Sequence, residues 1–380
     1  MGKLSDAERC EAQLFIWAGC CMHKEMNSVK GGVRAMGKFW VKSGLDRPIK
    51  LMNKDNAAAV NAGPSAARDH ALQVSTGGTE RITTLACMIF NHKDDKKGQQ
   101  DSYQIFFELG LGYMIKFPDT SNTRFQSHCM AAATLLLYLP YFLEFLLLVH
   151  DKKENRSFNH MEQNVFEGLK DIPTLTELCV LALYAQAISH PYMCVVCGSG
   201  NRHINAIELG PFHKRVIEHC QAIIADPNLI LGADCDYMMG ALGGKNWEQP
   251  EVIYAVQQLL GTLPHLTGCL VSFFEGALET WERFCSEFGA RGIISQLSQA
   301  EKDHLFIQAT NDHNEGALGS LRQSWRRAPN MTIAQHNAHT MYKQNDTHNF
   351  LKSDILSSAD KKYICKETWR VDSSGQEKWM

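Results

Sequence analysis

The chain lacks a surplus of charge of either sign, an apolar leader and any repeat at a fixed period. Across its 380 residues, 38 lysines and arginines stand against 41 aspartates and glutamates, a formal charge of −3. That near-balance excludes a protein that is basic all over and confines any nucleic-acid contact to a local patch. The opening MGKLSDAERCEAQ is polar and charged, without the apolar core of a secretory signal. Met1-Gly2 begins like a myristoylation signal, but Asp6 stands where Ser or Thr is needed. With no unit recurring at constant spacing, solenoids and propellers are set aside. The 13 cysteines are odd in number and irregularly spaced, which argues against a disulfide framework. Reduced thiols in the nucleus or cytoplasm are therefore expected.

What is present is an ordinary globular composition. At 44% apolar residues the chain can bury a sizeable core, and its length allows two or three domains. The longest apolar run, Met130 to Val149 (MAAATLLLYLPYFLEFLLLV), is long enough to cross a bilayer. Pro140 and Glu144 interrupt it, and no second span is read that could shelter the glutamate, so a buried helix kinked at Pro140 is expected and no membrane. Residues 8–45 read as helical, with Leu14, Phe15, Trp17, Ala18, Met22 and Met26 at helical spacing and Gly31-Gly32 breaking the run. Short strands are expected at 49–53 (IKLMN) and at Leu111 to Phe117 (LGYMIKF), the second stopped by Pro118. Residues 82–90 fit helix or strand. From 126 onward the pattern is helical, over about 126–150, 159–170, 174–189, 211–225, 250–260 and 266–288. After Ser353 the charges and Ser-Ser-Gly suggest a solvated tail, open to disorder.

Several groups of residues have the chemistry of a site. In ATNDHNEGALG, from Ala309, Asn311 and Asp312 are helix-capping residues that would fix Glu315 in the first helical turns, where its carboxylate is suited to a divalent metal. A capping box between Asp312 and Glu315 explains the same residues without a ligand. Cys20 and His23 share a helix face and supply two zinc ligands, too few for a site. His190, Cys194, Cys197 and His203 form a fuller zinc candidate, although a chain with this many cysteines and histidines yields such spacing by chance. Lys93 to Lys97 (KDDKK) reads as a solvated loop, with phosphate contact as the sharper alternative. Arg322, Arg326 and Arg327, with Trp325 between them, suit phosphate contact or an exposed face anchored by its indole. Asp55 and Asp119 each follow an expected strand and would complete a nuclease site with Glu315; helix capping by Asp55 and a turn at Asp119 are the plainer readings.

Three elements in order carry a resemblance. Cys20-Cys21-Met22-His23-Lys24-Glu25-Met26-Asn27 resembles the CxxHxLN element of hAT-superfamily DNA transposases, with one extra residue before Asn27. Thr123-Arg124-Phe125-Gln126-Ser127 resembles their TRWNS motif, and ATNDHNEGALG is similar to their PATSAASERVFS block. The phrases WAGCCMHKEMNSVKGG, FNHKDDKKGQQDSY and FPDTSNTRFQSHC resemble transposon-encoded proteins of mushroom-forming fungi over nearly the whole chain. The resemblance implies a mainly α protein with a small α/β part, an incomplete ribonuclease-H-like core interrupted by a large α-helical insertion. It implies a partial core segment at 1–125, the insertion at 126–305, C-terminal core helices with Glu315 and the arginines at 306–352, and the tail at 353–380. It also implies Mg2+ or Mn2+ as cofactor if the protein is active, duplex DNA at transposon ends as partner, and homo-oligomer formation. Of the family's acidic triad only Glu315 is matched; Asp6 is the sole acid near the second position, and nothing precedes it to carry the first. The missing early strands and DNA-binding domain make a truncated, catalytically incompetent remnant the expectation. Arg124 and Phe125 are carried over as DNA contacts, with Phe in place of the family's Trp. A non-catalytic helical DNA- or protein-binding module and an intact metal-dependent nuclease are the alternatives.

Overall fold

A computed structural model describes residues 16–92, 98–120, 126–198, 204–353 and 355–375, apart from the His313 side chain. The described residues are mainly helical. Among them are two isolated β-bridges, Lys50 with Gly77 and Asn205 with Gln308, and no strand, so the expected small α/β part does not form there. The chain divides into one compact unit up to Thr310 and a second from Asn311.

The first unit is organised by α1, Cys21–Ser43, a 23-residue helix. It runs straight through Gly31-Gly32, the expected break. The reason is tertiary: a Cβ on Gly31 would lie 2.6 Å from the Gly276 carbonyl oxygen, and one on Gly32 would lie 2.5 Å from the Phe273 ring. These glycines let two helix backbones approach closely, and that packing outweighs glycine's poor helix propensity. After α1 come α2 (Lys54–Asn61), α3 (Ala66–Val74), α4 (Thr79–Phe90) and α5 (Gln100–Leu111). The 49–53 segment contributes a single bridge at Lys50 and a Leu51 N–H to Thr76 carbonyl bond of 3.0 Å. Of the strand expected from Leu111 to Phe117, Leu111 ends α5 and residues 112–117 form no β-bridge. Instead Phe117 inserts into an aromatic cluster, its ring 5.5 Å from Phe90 and 6.0 Å from Phe142.

The long apolar run folds as α6 (Gln126–Leu137) and α7 (Leu139–Lys152), bent by 82° at the break. Pro140 lies in the first turn of α7, where its missing N–H costs nothing, and the exposed Glu144 lies on the outer face. Phe142 and Phe145 join Phe90, Tyr103, Phe107 and Phe117 in one buried cluster. Next come α8 (His160–Gly168) and α9 (Ile172–Tyr184), which continues through a π turn at Ala185–Ser189 into α10 (His190–Cys197). The expected 174–189 helix is thus the middle of a longer one. Ile172–Cys197 is long and apolar enough to cross a membrane, so a second run of that length exists after all; 78% of its most apolar window is buried inside the protein. A helix apolar on every side is the one that other helices surround.

The remaining helices of this unit are α11 (Gly210–Ala225), the short α12 (Asn228–Leu231) and α13 (Tyr237–Gly240), α14 (Pro250–Leu259), α15 (Leu266–Phe284) and α16 (Gln299–Asp303). Helix α15 packs along α1 and also against α9 and α11. The expected division at residue 125 is therefore crossed by the core itself: α1 and α4, from its N-terminal side, bury their apolar faces against α15, α6 and α9 from the other.

The second unit contains α17 (Asp312–Arg327), α18 (Ile333–Gln344), α19 (Thr347–Lys352) and α20 (Ser358–Ser373). Capping boxes start α18, at Thr332 with Gln335, and α20, at Ser357 with Asp360. The stretch expected as a solvated tail thus holds a helix, and that helix has no buried residue. His336 is the one buried residue among those described in this unit.

Candidate functional site

Glu315 lies in the first turn of α17, half-buried, with its N–H donating to the Asn311 carbonyl at 3.0 Å. Asn311 occupies the N-cap and Asp312 is already helical, so the expected Asp312–Glu315 capping box has no cap residue to start from. Asp55 sits in the first turn of α2, behind the N-cap Asn53 whose side chain accepts from the Asn56 N–H at 2.7 Å. Asp119 lies in the loop after Phe117 and accepts a 3.8 Å contact from the Cys87 thiol. Neither acid ends a strand. No three His, Cys, Asp or Glu side chains among the described residues gather as metal ligands, so no metal-dependent step can be derived from them. Asp6, Arg124 and Phe125 lie outside the described residues, as does the 93–97 loop.

The CxxH element shows a shift of register. Cys20 is the N-cap of α1, and His23 and Asn27 are half-buried; the Asn27 amide donates to the His23 carbonyl at 2.7 Å within the helix. The buried positions are instead Cys21, Lys24, Glu25 and Ser28, spaced i, i+3, i+4 and i+7. The later apolar residues Val29, Met36 and Trp40 share this phase, and extending it backwards would have picked out the four. Met22 and Met26 belong to the half-buried flank.

Those four side chains enter a buried polar network. Lys24 pairs with Glu287, both almost without solvent contact, and donates to the Phe284 carbonyl. Glu25, fully buried, accepts from Ser189 in the π turn. Ser28 and Tyr184 hydroxyls meet at 2.8 Å, and the Trp281 indole N–H donates to Tyr184 at 3.1 Å. The Tyr192 hydroxyl lies 3.1 Å from His213 Nε2, whose other neighbour is the Cys21 sulfur at 3.9 Å. Burial dominates the protonation states. It raises the Glu25 carboxyl to about 8 against the opposing Ser189 bond, and lowers His213 to about 3 with help from the Lys24 charge. The Cys21 thiol is pushed up to about 11, chiefly by burial. A thiol so held stays protonated at neutral pH, and its contact with His213 is a buried packing contact.

The zinc candidate is split. His190, Cys194 and Cys197 follow one another along α10; His190 Nδ1 lies 3.1 Å from Glu248 Oε2, both cysteines are exposed, and His203 lies outside the described residues. The three described members do not form a metal-binding group.

The basic helix remains as a surface. Arg322, Arg326 and Arg327 on α17 are all exposed, and none makes an ion pair with a described carboxylate. No acid occurs from Gly316 to Asn345, a stretch that adds Lys343, His336 and His339. The three arginines end α17, and the N-terminal N–H groups of α18 begin just beyond, at Thr332. Trp325, which one of the two readings of this helix makes an anchor to a core, is 41% exposed. Comparison of the chain with known families, curated proteins and solved structures finds no match.

Proposed function

We propose that this chain is a non-catalytic nucleic-acid-binding protein of transposon origin, whose second unit contacts phosphates through Arg322, Arg326 and Arg327. The observation that carries the reading is the exposed, acid-free arginine end of α17. Three guanidinium groups within two turns, facing solvent without carboxylate partners, supply the fixed donor forks that phosphate oxygens accept. Descent from a hAT-like transposase accounts for the order of the three motifs and is a statement about origin. The function proposed needs neither the acidic triad nor Mg2+ or Mn2+.

Salt gives the test. Binding of the full chain to a labelled duplex should weaken steeply between about 50 and 200 mM salt, because each neutralised phosphate releases counterions. Replacing the three arginines with alanine should flatten that dependence by roughly 0.9 in log–log slope for each phosphate that is no longer neutralised. No binding by the native chain to duplex or single-stranded DNA at the lowest salt would sink the proposal.

A further inference from the structure

We infer that the second unit is built for single-stranded nucleic acid, with the Trp325 indole stacking on a base while Arg322 and Arg326 hold the adjoining phosphates. This rests on the phosphate-binding reading above and sharpens it to a strand type. Arg322, Trp325 and Arg326 stand at i, i+3 and i+4 on α17, so one face presents all three. A helical tryptophan leans towards the preceding turn, and the turn preceding Trp325 carries Arg322.

Aromatic and basic residues also neighbour one another elsewhere along the unit. Trp325-Arg326, Tyr342-Lys343, Lys362-Tyr363 and Trp369-Arg370 each place an exposed aromatic beside a basic residue, with the aromatics 41%, 44%, 67% and 79% exposed. Of these cations only Arg370 pairs with a described acid, Glu367. In a packed helical unit such rings would form the core; here no apolar side chain is buried among the described residues. Phosphates are available on any nucleic acid, but base faces are open to an aromatic ring only where the bases are unstacked. A second copy of this chain suits the surface less well, since the acid-free stretch from Gly316 to Asn345 would meet its own arginines and lysine.

The experiment compares the full chain with its W325A, W325F and R322A/R326A variants, binding labelled oligo-dT and duplex DNA of equal length at low salt. The native chain should prefer the single strand. W325A should weaken oligo-dT binding by about fivefold to a hundredfold and leave duplex binding unchanged. W325F should restore most of the loss, and the double arginine variant should weaken both ligands. Trp325 is partly exposed, so helix content measured by circular dichroism should stay constant across the set. If W325A affects both ligands equally or neither, stacking is wrong while phosphate binding stands. If the native chain binds neither ligand, both readings fall. Concentration-dependent association that W325A abolishes, without effect on oligonucleotide binding, would overturn the inference and assign the surface to a second copy.

Discussion

The Lys24–Glu287 pair shows how one residue's phase decides its chemistry. Lys24 lies one position from His23, yet its ammonium is enclosed between Glu287, the Phe284 carbonyl and the face of the Phe288 ring, 5.4 Å from the ring centre. Out of water, the charge is tolerated only because both partners are present. Glu287→Gln should therefore cost on the order of 3–5 kcal/mol, by leaving a buried ammonium uncompensated. Replacing the pair together, Lys24→Met with Glu287→Leu, should recover much of that loss. Urea unfolding of the two variants beside the native chain measures both; a single-variant cost below about 1 kcal/mol would mean that water reaches the pair.

At the scale of elements, the seam between α1 and α15 makes opposite predictions for two glycines. A Cβ on Gly276 would meet Ala35 Cβ at 2.5 Å and the Gly31 carbonyl oxygen at 2.6 Å, whereas one on Gly37, also in α1, meets nothing within 4 Å. Gly276→Ala should destabilise by about 1–3 kcal/mol through overpacking, despite alanine's better helix propensity. Gly37→Ala should stabilise by up to about 1 kcal/mol from that propensity alone. Thermal melts of the two variants should move in opposite directions. The same seam explains what could be read from the sequence. Helix period marks which faces are apolar, so most helices between residues 126 and 288 and a bend beside Pro140 were legible. It does not say which glycines face another backbone, so Gly31-Gly32 looked like a break. Nor does apolar, β-branched composition distinguish a strand from an extended segment plugging an aromatic cluster, which is what Phe117 does. For the site, the exposed arginines were legible because charge and spacing are local properties. The buried network on α1 was not, since Ser189, Tyr184 and His213, which meet Glu25, Ser28 and Cys21 in turn, are far away in sequence.

For the whole molecule, the buried titratable groups act in two opposed sets. Glu25 and Glu177 are buried, and burial raises their carboxyls from 4.5 to about 8 and about 7, against the bonds Glu177 accepts from the Thr79 N–H and the Trp40 indole. Raised acids bind their protons more tightly in the folded chain. Their stability contribution is whole below pH 4.5 and is lost as pH rises through 7 and 8. His128 and His213 are lowered by burial from 6.5 to about 4 and about 3, so theirs is whole above pH 6.5 and is lost as pH falls towards 3. Between pH 4.5 and 6.5 the two sets offset each other. Above that window only the carboxyls titrate, and below it only the imidazoles. Stability should therefore peak in mildly acidic solution and fall by on the order of 3 kcal/mol between pH 6.5 and 8, at about 1.4 kcal/mol per proton per pH unit. The double variant Glu25→Gln, Glu177→Gln, which keeps both groups neutral, should remove that alkaline decline while the acid limb persists. Urea midpoints across pH 4 to 9 provide the check: a native chain whose stability is flat or rising from pH 6.5 to 8 would show that these carboxyls are hydrated.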